Sequence, residues 1–480
     1  MKIRFDENTE DNVMSLKIYN TFTRSKEVFT PLQAGKINMY VCGMTVYDYC
    51  HLGHARVLVA FDVISRYLRN AGYEVNYVRN ITDIDDKILN RANENGELYT
   101  DLTERFIRLM HEDEARLGVQ SPDQEPRATA YIAEIINMVS SLIEKGYAYA
   151  ADNGDVYYSV AKFGPYGQLS NKNPDELLAG ARIDIEQAKQ DPRDFALWKS
   201  AQADEVHWDS PWGKGRPGWH IECSAMSTCC LGNTFDIHGG GPDLPFPHHE
   251  NEIAQSEAAT GEKYARYWMH AGAVRVNGEK MSKSLGNFFT IRDILAKYHP
   301  EVVRYLLIAS HYRSAINYSE ESLQTAKTAL DRFYKGLKGF ENVEPMNLAT
   351  LPAPSSYIER FHEAMQDDFN TPVALAVMFD LVRELNTAVK EGDELAQQKL
   401  ATELKSLGAL LGLLQSKPDE FLQAGGADEL SAEAIEAKIQ QRVEAKASKD
   451  YALSDKIRDE LKEQGVILED TGGVTGWRRA

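Results

Sequence analysis

Apolar and polar positions along the first eighty residues change period three times. Ile37 to Val41 form a short apolar run, the pattern of a buried strand, with Cys42 and Gly43 expected to end it. Beyond His51, Val57, Phe61, Ile64 and Leu68 recur at helical spacing, and Gly72 marks the stop. Val75, Tyr77 and Ile81 then alternate as a second strand. Strand, loop, helix, strand is the opening of a parallel α/β sheet, and such sheets bind ligands beyond the C-terminal ends of their strands. Cys42 and His51 both belong at that edge.

The pattern changes again over residues 121–205, which read as an insertion. Ile132, Ile135, Ile136, Val139, Leu142 and Ile143 draw one apolar helix face. Asn153-Gly154, between Tyr147-Ala148-Tyr149 and Val156-Tyr157-Tyr158, predicts a hairpin. Trp219 to Ser224 is expected to return to the main sheet. After Ser284 the chain turns helical, with Leu323, Leu330, Phe333 and Leu337 on one face. Residues 341–356 and 418–426 read as linkers. The tail predicts helices over 431–447 and about 452–464, then two short strands flanking Gly472-Gly473. Six segments follow: a polar, disordered tail at 1–14; a first half-domain at 15–120; the insertion at 121–205; a second half-domain at 206–318; a helical domain at 319–416; and a small domain at 431–480.

Composition narrows the class. At 480 residues with 43% hydrophobic content, the chain is long enough for about three globular domains. No run of about 18 uncharged apolar residues suggests a membrane span, and no apolar signal core opens the chain. Five cysteines in such a length make no disulfide framework, so a reducing, cytoplasmic compartment is expected. The net charge of −19 would by itself point away from nucleic acid. The charge is uneven, however. Residues 431–480 hold nine Lys/Arg against ten Asp/Glu, so nearly all the excess acid lies upstream.

Candidate chemistry lies in four scattered donors, Cys42, Cys223, His248 and Glu252. Thiolate, imidazole and carboxylate are all zinc donors, and His248 and Glu252, at i and i+4, share one helix face. No close CxxC pair accompanies them, so they converge only through the fold. That predicts one zinc placed for substrate and not as a staple. Cys50 reads as a packing residue, and Cys229 and Cys230 as core or partly buried thiols. The GxxxxGK[ST] phosphate loop is missing. In its place His51 and His54 stand at a helix start, where amide donors and the positive dipole end favour anions. Downstream, Gly278 to Asn287 reads as a flexible loop whose Lys280 and Lys283 can close on a triphosphate.

These pieces together resemble one family, the cysteinyl-tRNA synthetases of class I. The resemblance runs from about Ser15 to Ala480. It rests on Tyr40-Val41-Cys42-Gly43, Thr45-Val46-Tyr47-Asp48, His51-Leu52-Gly53-His54, Gly218-Trp219-His220-Ile221-Glu222-Cys223-Ser224, His248-His249-Glu250-Asn251-Glu252, Lys280-Met281-Ser282-Lys283-Ser284 and Asp367-Asp368-Phe369-Asn370-Thr371-Pro372. Leu52 stands where the family usually has Ile, a swap that keeps apolar volume. The resemblance implies an α/β, Rossmann-like class I catalytic domain split by a connective-peptide insertion. A helical anticodon-side domain and a small C-terminal α+β domain follow. It also implies Thr45 and Trp219 as walls of the amino-acid pocket, His238 near the amino acid, and Asp243 on the adenosine ribose. His249 remains a further pocket or supporting group.

The reaction so implied activates L-cysteine with ATP and Mg²⁺, assisted by His51, His54, Lys280 and Lys283. Transfer to the terminal adenosine of tRNA(Cys) follows, at the 2′-hydroxyl first. Zinc, one per chain, takes the thiolate and thereby separates cysteine from serine. The family resemblance implies a monomer. Arg458, Asp459, Trp477 and Arg478 are the candidates for contact with unpaired tRNA bases. A cysteine ligase acting on an amino-sugar thiol precursor would share the zinc site and both ATP signatures, but would lack the complete region from Asp367 to Ala480. A silent paralogue that only binds RNA or senses cysteine would not need His51, His54, Lys280 and Lys283.

Overall fold

The computed structural model describes residues 15–172, 188–202, 205–281, 286–351, 354–424, 430–471 and 474–479. The expected tail at 1–14, Lys283 and the Gly472-Gly473 turn lie outside the described residues. A four-stranded parallel sheet organises the first half of the described chain. Strand β1 (Lys36–Thr45) leads through helix α1 (Leu52–Asn70) to β2 (Glu74–Thr82). The chain returns later as α2 (Trp219–Leu231), β3 (Phe235–Gly240), α3 (Glu250–Thr260) and β4 (Ala265–His270). The spatial order is β4-β3-β1-β2, all parallel. Every residue of β3 is buried, as expected of a strand covered on both faces.

Strand β1 does not stop at Cys42-Gly43, as its apolar run suggested. It continues to Thr45, and its register with β2 shifts between Val41 and Met44. The cause is a close approach. Gly43 donates its N–H to Asn80 Oδ1 at 2.8 Å, and a Cβ on it would lie 1.7 Å from the Asn80 carbonyl oxygen. The irregularity bends the strand end and re-aims Cys42.

Trp219 to Ser224 also departs from expectation. It forms the first turns of α2 and not a return to the sheet. This helix is wedged between the sheet, α3 and the Ile132–Glu144 helix of the insertion. Covered on several sides, it carries no apolar stripe that would betray its period. The insertion builds an antiparallel sheet from Ala148–Ala150, Val156–Tyr158, Phe195–Ser200 and Gly215–Pro217. The expected boundary at 205 therefore falls inside this sheet.

The helices that follow share one continuous core with this parallel sheet. Arg304 is fully buried. Its guanidinium pairs with Asp62 of α1 and donates to the Leu411 carbonyl at 2.7 Å and the Leu117 carbonyl at 3.1 Å. Residues 418–426, expected as a linker, contain a helix at Pro418–Gln423. Its Phe421 stacks on Tyr334 with ring centroids 4.1 Å apart. The terminal unit consists of helices Ala432–Ala447 and Tyr451–Glu463 and an antiparallel pair, Val466–Thr471 with Val474–Arg479. Its own small core is Ile435, Ile439, Ile457, Leu461, Val466 and Trp477.

Candidate active site and metal centre

Cys42, Cys223, His248 and Glu252 come together at the C-terminal edge of the parallel sheet. Cys42 is delivered by the bent end of β1, Cys223 by α2, and His248 and Glu252 by the turn into α3. All four are buried, and their donor atoms lie within 4.8 Å of one another. Tetrahedral zinc with Zn–S near 2.3 Å sets an S···S edge of about 3.8 Å. The Cys42 and Cys223 sulfurs are 3.7 Å apart. Cys42 Sγ lies 3.3 Å from Glu252 Oε1, and His248 Nε2 lies 3.0 Å from the same oxygen. These separations and donor types fit one dication.

Supporting groups decide which atoms face the centre. His238 Nε2 and Tyr264 Oη hold Glu252 Oε2 at 2.8 and 3.0 Å, so Oε1 is the oxygen turned toward Cys42. Cys42, His238, His249 and Glu252 also lie within mutual reach, but His238 spends its Nε2 on orienting Glu252. His220 Nδ1 bonds His248 Nδ1 at 2.8 Å, which leaves His248 Nε2 for the centre, the usual second layer of a metal-binding imidazole. Sequence reasoning passed over His220 and Tyr264. The signal available for His220 was its place between Trp219 and Cys223.

The electrostatics are those of a cation site. Burial raises the Cys42 thiol, reinforced by Cys223 and Glu252. Cys223 is lowered to about 6, chiefly by the hydrogen bond from Cys42. For Glu252, burial opposes ionisation, but His238 and His248 outweigh it and hold the carboxyl well below its ordinary value. Burial likewise disfavours a charged His248, yet Glu252 and Cys223 push it up to about 10. A buried carboxylate and thiolate thus hold a proton on imidazole where a metal would displace it.

The residues expected to line the amino-acid pocket lie beside or near this cluster. Trp219 stacks on the His248 ring with centroids 4.3 Å apart and is 40% exposed, so part of its surface is open to solvent. Thr45 ends β1 and is half-buried. Asp243, just past the end of β3, is exposed. Cys50 is buried as expected, whereas Cys229 is exposed and Cys230 half-buried. Cys229 therefore does not join the core, because the end of α2 runs out to solvent.

His51 and His54 cap α1 reciprocally. His51 Nδ1 accepts from Gly53 N at 3.0 Å and His54 N at 3.4 Å, while His51 N donates to His54 Nδ1 at 3.2 Å. The rings stack 3.7 Å apart. Both Nδ1 atoms are acceptors, so each neutral ring carries its proton on Nε2. Burial, aided by His51, keeps His54 well below the ordinary histidine pKa. The lysine segment is anchored to the same place. Leu52 N donates to the Phe289 carbonyl at 3.2 Å, and Ile291 N to the Cys50 carbonyl at 2.8 Å. Phe288 packs edge-on against His51 at 5.1 Å. Lys280 ends a short exposed strand that enters this loop.

The expected base-contact residues fare differently. Trp477 is 2% exposed, and its Nε1 donates to Glu436 Oε1 at 2.5 Å. It packs the core of the terminal unit and offers no face to a base. Arg478 lies along Glu469, with Nε at 2.9 Å from Oε1. Arg458 and Asp459 remain on the surface, paired with each other at 3.2 Å. The Trp beside two Arg reads as a stacking platform only if the strand faces solvent, and here it faces a helix.

The fold and this edge of the sheet define a class I aminoacyl-tRNA synthetase. Residues 28–328 match the tRNA synthetases class I (C) catalytic domain, and residues 360–415 match the DALR domain. The chain is 63% identical over 467 residues to the cysteine–tRNA ligase of Ectopseudomonas mendocina, covering 97% of this chain and 100% of that one. It is 62% identical over 465 residues to that of Azotobacter vinelandii, covering 97% and 99%. Among solved structures, it is similar to Mycobacterium tuberculosis methionyl-tRNA synthetase in complex with methionyl-adenylate. The TM-score is 0.54 at 15% identity, over 78% of this chain and 89% of that one. The Agrobacterium radiobacter K84 LeuRS-tRNA-LeuAMS ternary complex gives a TM-score of 0.57 at 11% identity, over 82% and 85%. The chain belongs to the cysteine–tRNA ligase family.

Proposed function

We propose that this chain activates L-cysteine with ATP and transfers it to the terminal adenosine of tRNA(Cys), selecting cysteine over serine through zinc. The observation that carries the reading is the Cys42, Cys223, His248 and Glu252 cluster, set beside Trp219 and at the same sheet edge as His51 and His54. When bound there, zinc supplies a soft Lewis acid that takes the substrate sulfur as thiolate and has little affinity for a neutral hydroxyl. A purely apolar pocket would separate near-isosteres by only about 1–3 kcal/mol.

The first step is in-line attack by the cysteine carboxylate oxygen on the α-phosphorus of ATP, with departure of pyrophosphate. The nucleophile is already ionised, so the chain supplies positioning and charge stabilisation rather than a base. His51 and His54 present their Nε2–H groups to phosphate oxygens at the N-terminus of α1. Lys280 and Lys283 supply positive charge to the phosphates, Asp243 takes the ribose, and Mg²⁺ accompanies ATP. Thr45, Trp219 and His238 shape the amino-acid end.

In this reading residues 15–120 and 218–318 form the catalytic domain, with 121–217 inserted. Residues 319–424 form the anticodon-side body and 431–480 the anticodon unit, with Arg458 and Asp459 the remaining surface candidates for RNA contact. The enzyme works as a cytoplasmic monomer. Among the described residues no helix is long and apolar enough to cross a membrane.

Two assays test this. Cysteine-dependent ATP–pyrophosphate exchange should be robust, with serine far poorer, and tRNA(Cys) should be charged. Exchange without tRNA charging would exclude the transfer step. No cysteine dependence would exclude the whole reading.

A further inference from the structure

Two consecutive buried residues outside the catalytic domain, Asp368 and Phe369, hold positive φ angles of 63° and 54°. Neither is glycine, and such strain persists only where surrounding contacts over-determine it, commonly at functional positions. The Asp368 carboxylate is fully buried and joins three segments. Its Oδ1 accepts from Tyr19 N and from Tyr312 Oη, both at 2.9 Å. Its Oδ2 accepts from Arg313 Nε at 2.8 Å, with His311 Nε2 at 3.5 Å. Its own N–H donates to the Lys17 carbonyl at 2.9 Å.

From this knot two hydrogen-bonded branches reach the two halves of the active site. One follows the hairpin of Lys17–Asn20 and Ser25–Val28. Asn20 Oδ1 accepts from Trp268 N at 3.0 Å, and Thr21 Oγ1 bonds His270 Nδ1 at 2.9 Å. His270 Nε2 then bonds His249 Nδ1 at 2.8 Å, next to the metal-cluster residue His248. The other branch follows the 311–314 turn. Its His311 and Ser314 carbonyls accept from Arg56 Nη2 at 2.6 and 3.2 Å. Arg56 stands two positions after His54 on α1. The turn is also pinned to the end of the sheet, since Gly272 N donates to the Tyr312 carbonyl at 2.7 Å.

We propose that Asp368 is a positioning residue that aligns the amino-acid half-site, through Thr21, His270 and His249, with the ATP half-site, through the 311–314 turn and Arg56. This rests on the adenylation chemistry proposed above. Attack of carboxylate on phosphorus demands that the two half-sites meet within a fraction of an ångström, and a misplacement of about 1 Å can cost about 100-fold in rate. A carboxylate that accepts from both segments at once is suited to fixing their separation. A side chain with only a packing role would alter melting but not the reaction of folded enzyme.

The test uses the full-length zinc-loaded protein, with exchange rates measured where circular dichroism shows each variant fully folded. Asp368→Asn should lower kcat for cysteine-dependent pyrophosphate exchange about 10- to 100-fold. Thr21→Val, which cuts only the histidine branch, should raise KM for cysteine about three- to tenfold and leave KM for ATP unchanged. Folded Asp368→Asn with wild-type kcat overturns the proposal, as does Thr21→Val with no change in either KM. Should Asp368→Asn fail to fold, Tyr312→Phe decides. A severalfold loss of kcat at unchanged Tm supports the alignment role, and wild-type kcat overturns it. Absence of exchange in the wild-type protein would instead refute the adenylation reading itself.

Discussion

Cys42 Sγ and Glu252 Oε1 lie 3.3 Å apart although 210 positions separate them in the chain. One comes from the central strand and the other from a helix built after the insertion. Cys223→Ser should therefore purify with clearly less than one zinc per chain and show a raised KM for cysteine. Tyr264→Phe removes a hydroxyl that holds the other Glu252 oxygen at 3.0 Å. It should weaken zinc about 10-fold while leaving the ligands in place. Metal analysis after dialysis against graded chelator reads both. Stoichiometric zinc with an unaltered cysteine requirement in Cys223→Ser would remove that residue from the site.

Gly53 sits under the His51 ring, and a Cβ there would lie 2.8 Å from His51 Cε1. Gly53→Ala should turn the ring and disturb both cap hydrogen bonds at the start of α1. The stability cost should stay near 1 kcal/mol, the worth of an N-cap. The exchange rate should fall more steeply, by about 100-fold. Thermal melting beside exchange kinetics separates the two effects. A rate loss no larger than the stability loss predicts would mean that His51 does not touch ATP.

Stability should carry a pH signature from His111, whose Nε2 bonds Glu125 Oε2 at 2.7 Å. That hydrogen bond raises the His111 pKa above its ordinary value, against partial desolvation. A raised histidine stabilises the fold fully below its unfolded pKa of about 6.5. The contribution is lost as pH climbs through the folded value. The side chain is 47% exposed, so screening keeps the effect below about 1 kcal/mol. Urea titrations between pH 5.5 and 8.5 should show stability declining across this window, and His111→Gln should flatten the decline. An identical pH slope in the variant would assign the effect elsewhere.

The sequence and the structure part company where local pattern and tertiary cover disagree. The convergence of four donors, the histidine pair and the opening strand–helix–strand unit were legible because each rests on residue chemistry or on a clean period. Helix α2 was not, since burial on several sides erases the amphipathic stripe. The end of β1 was missed because Cys42-Gly43 looks like a break, yet Gly43 lets the strand bend against Asn80. The Pro418–Gln423 helix hid behind proline and glycine, although Pro418 serves as its first residue. Trp477 misled for a related reason, since a Trp flanked by Arg gives no hint of which strand face is covered. His220 needed the fold, as its role depends on His248, a distant residue.

The terminal unit gives a prediction that corrects that misreading. Trp477→Ala should destabilise residues 430–479 by about 3–5 kcal/mol by opening its small core, whereas Trp477→Phe should retain fold and tRNA charging. Removal of the unit should be made after Ala424 and not at Ser416. A cut at Ser416 would remove Phe421, which stacks on Tyr334 with ring centroids 4.1 Å apart and packs edge-on against His299 at 4.8 Å. The cut after Ala424 should leave pyrophosphate exchange intact and sharply weaken tRNA charging. The cut at Ser416 should in addition lower Tm. Undiminished anticodon discrimination by the shorter chain would place recognition in the helices between 357 and 415.

The position of Cys42 on the central strand has a consequence for biosynthesis. Chains are made from the N-terminus at about 5–20 residues per second. Glu252 therefore follows Cys42, 210 positions earlier, by roughly 10–40 s. For most of that interval β1 lacks its neighbour β3, and until Cys223 is made, 181 positions after Cys42, the Cys42 thiol lacks every other member of its cluster. The four-donor cluster therefore cannot be complete until the half-sheet made after the insertion joins the half made before it.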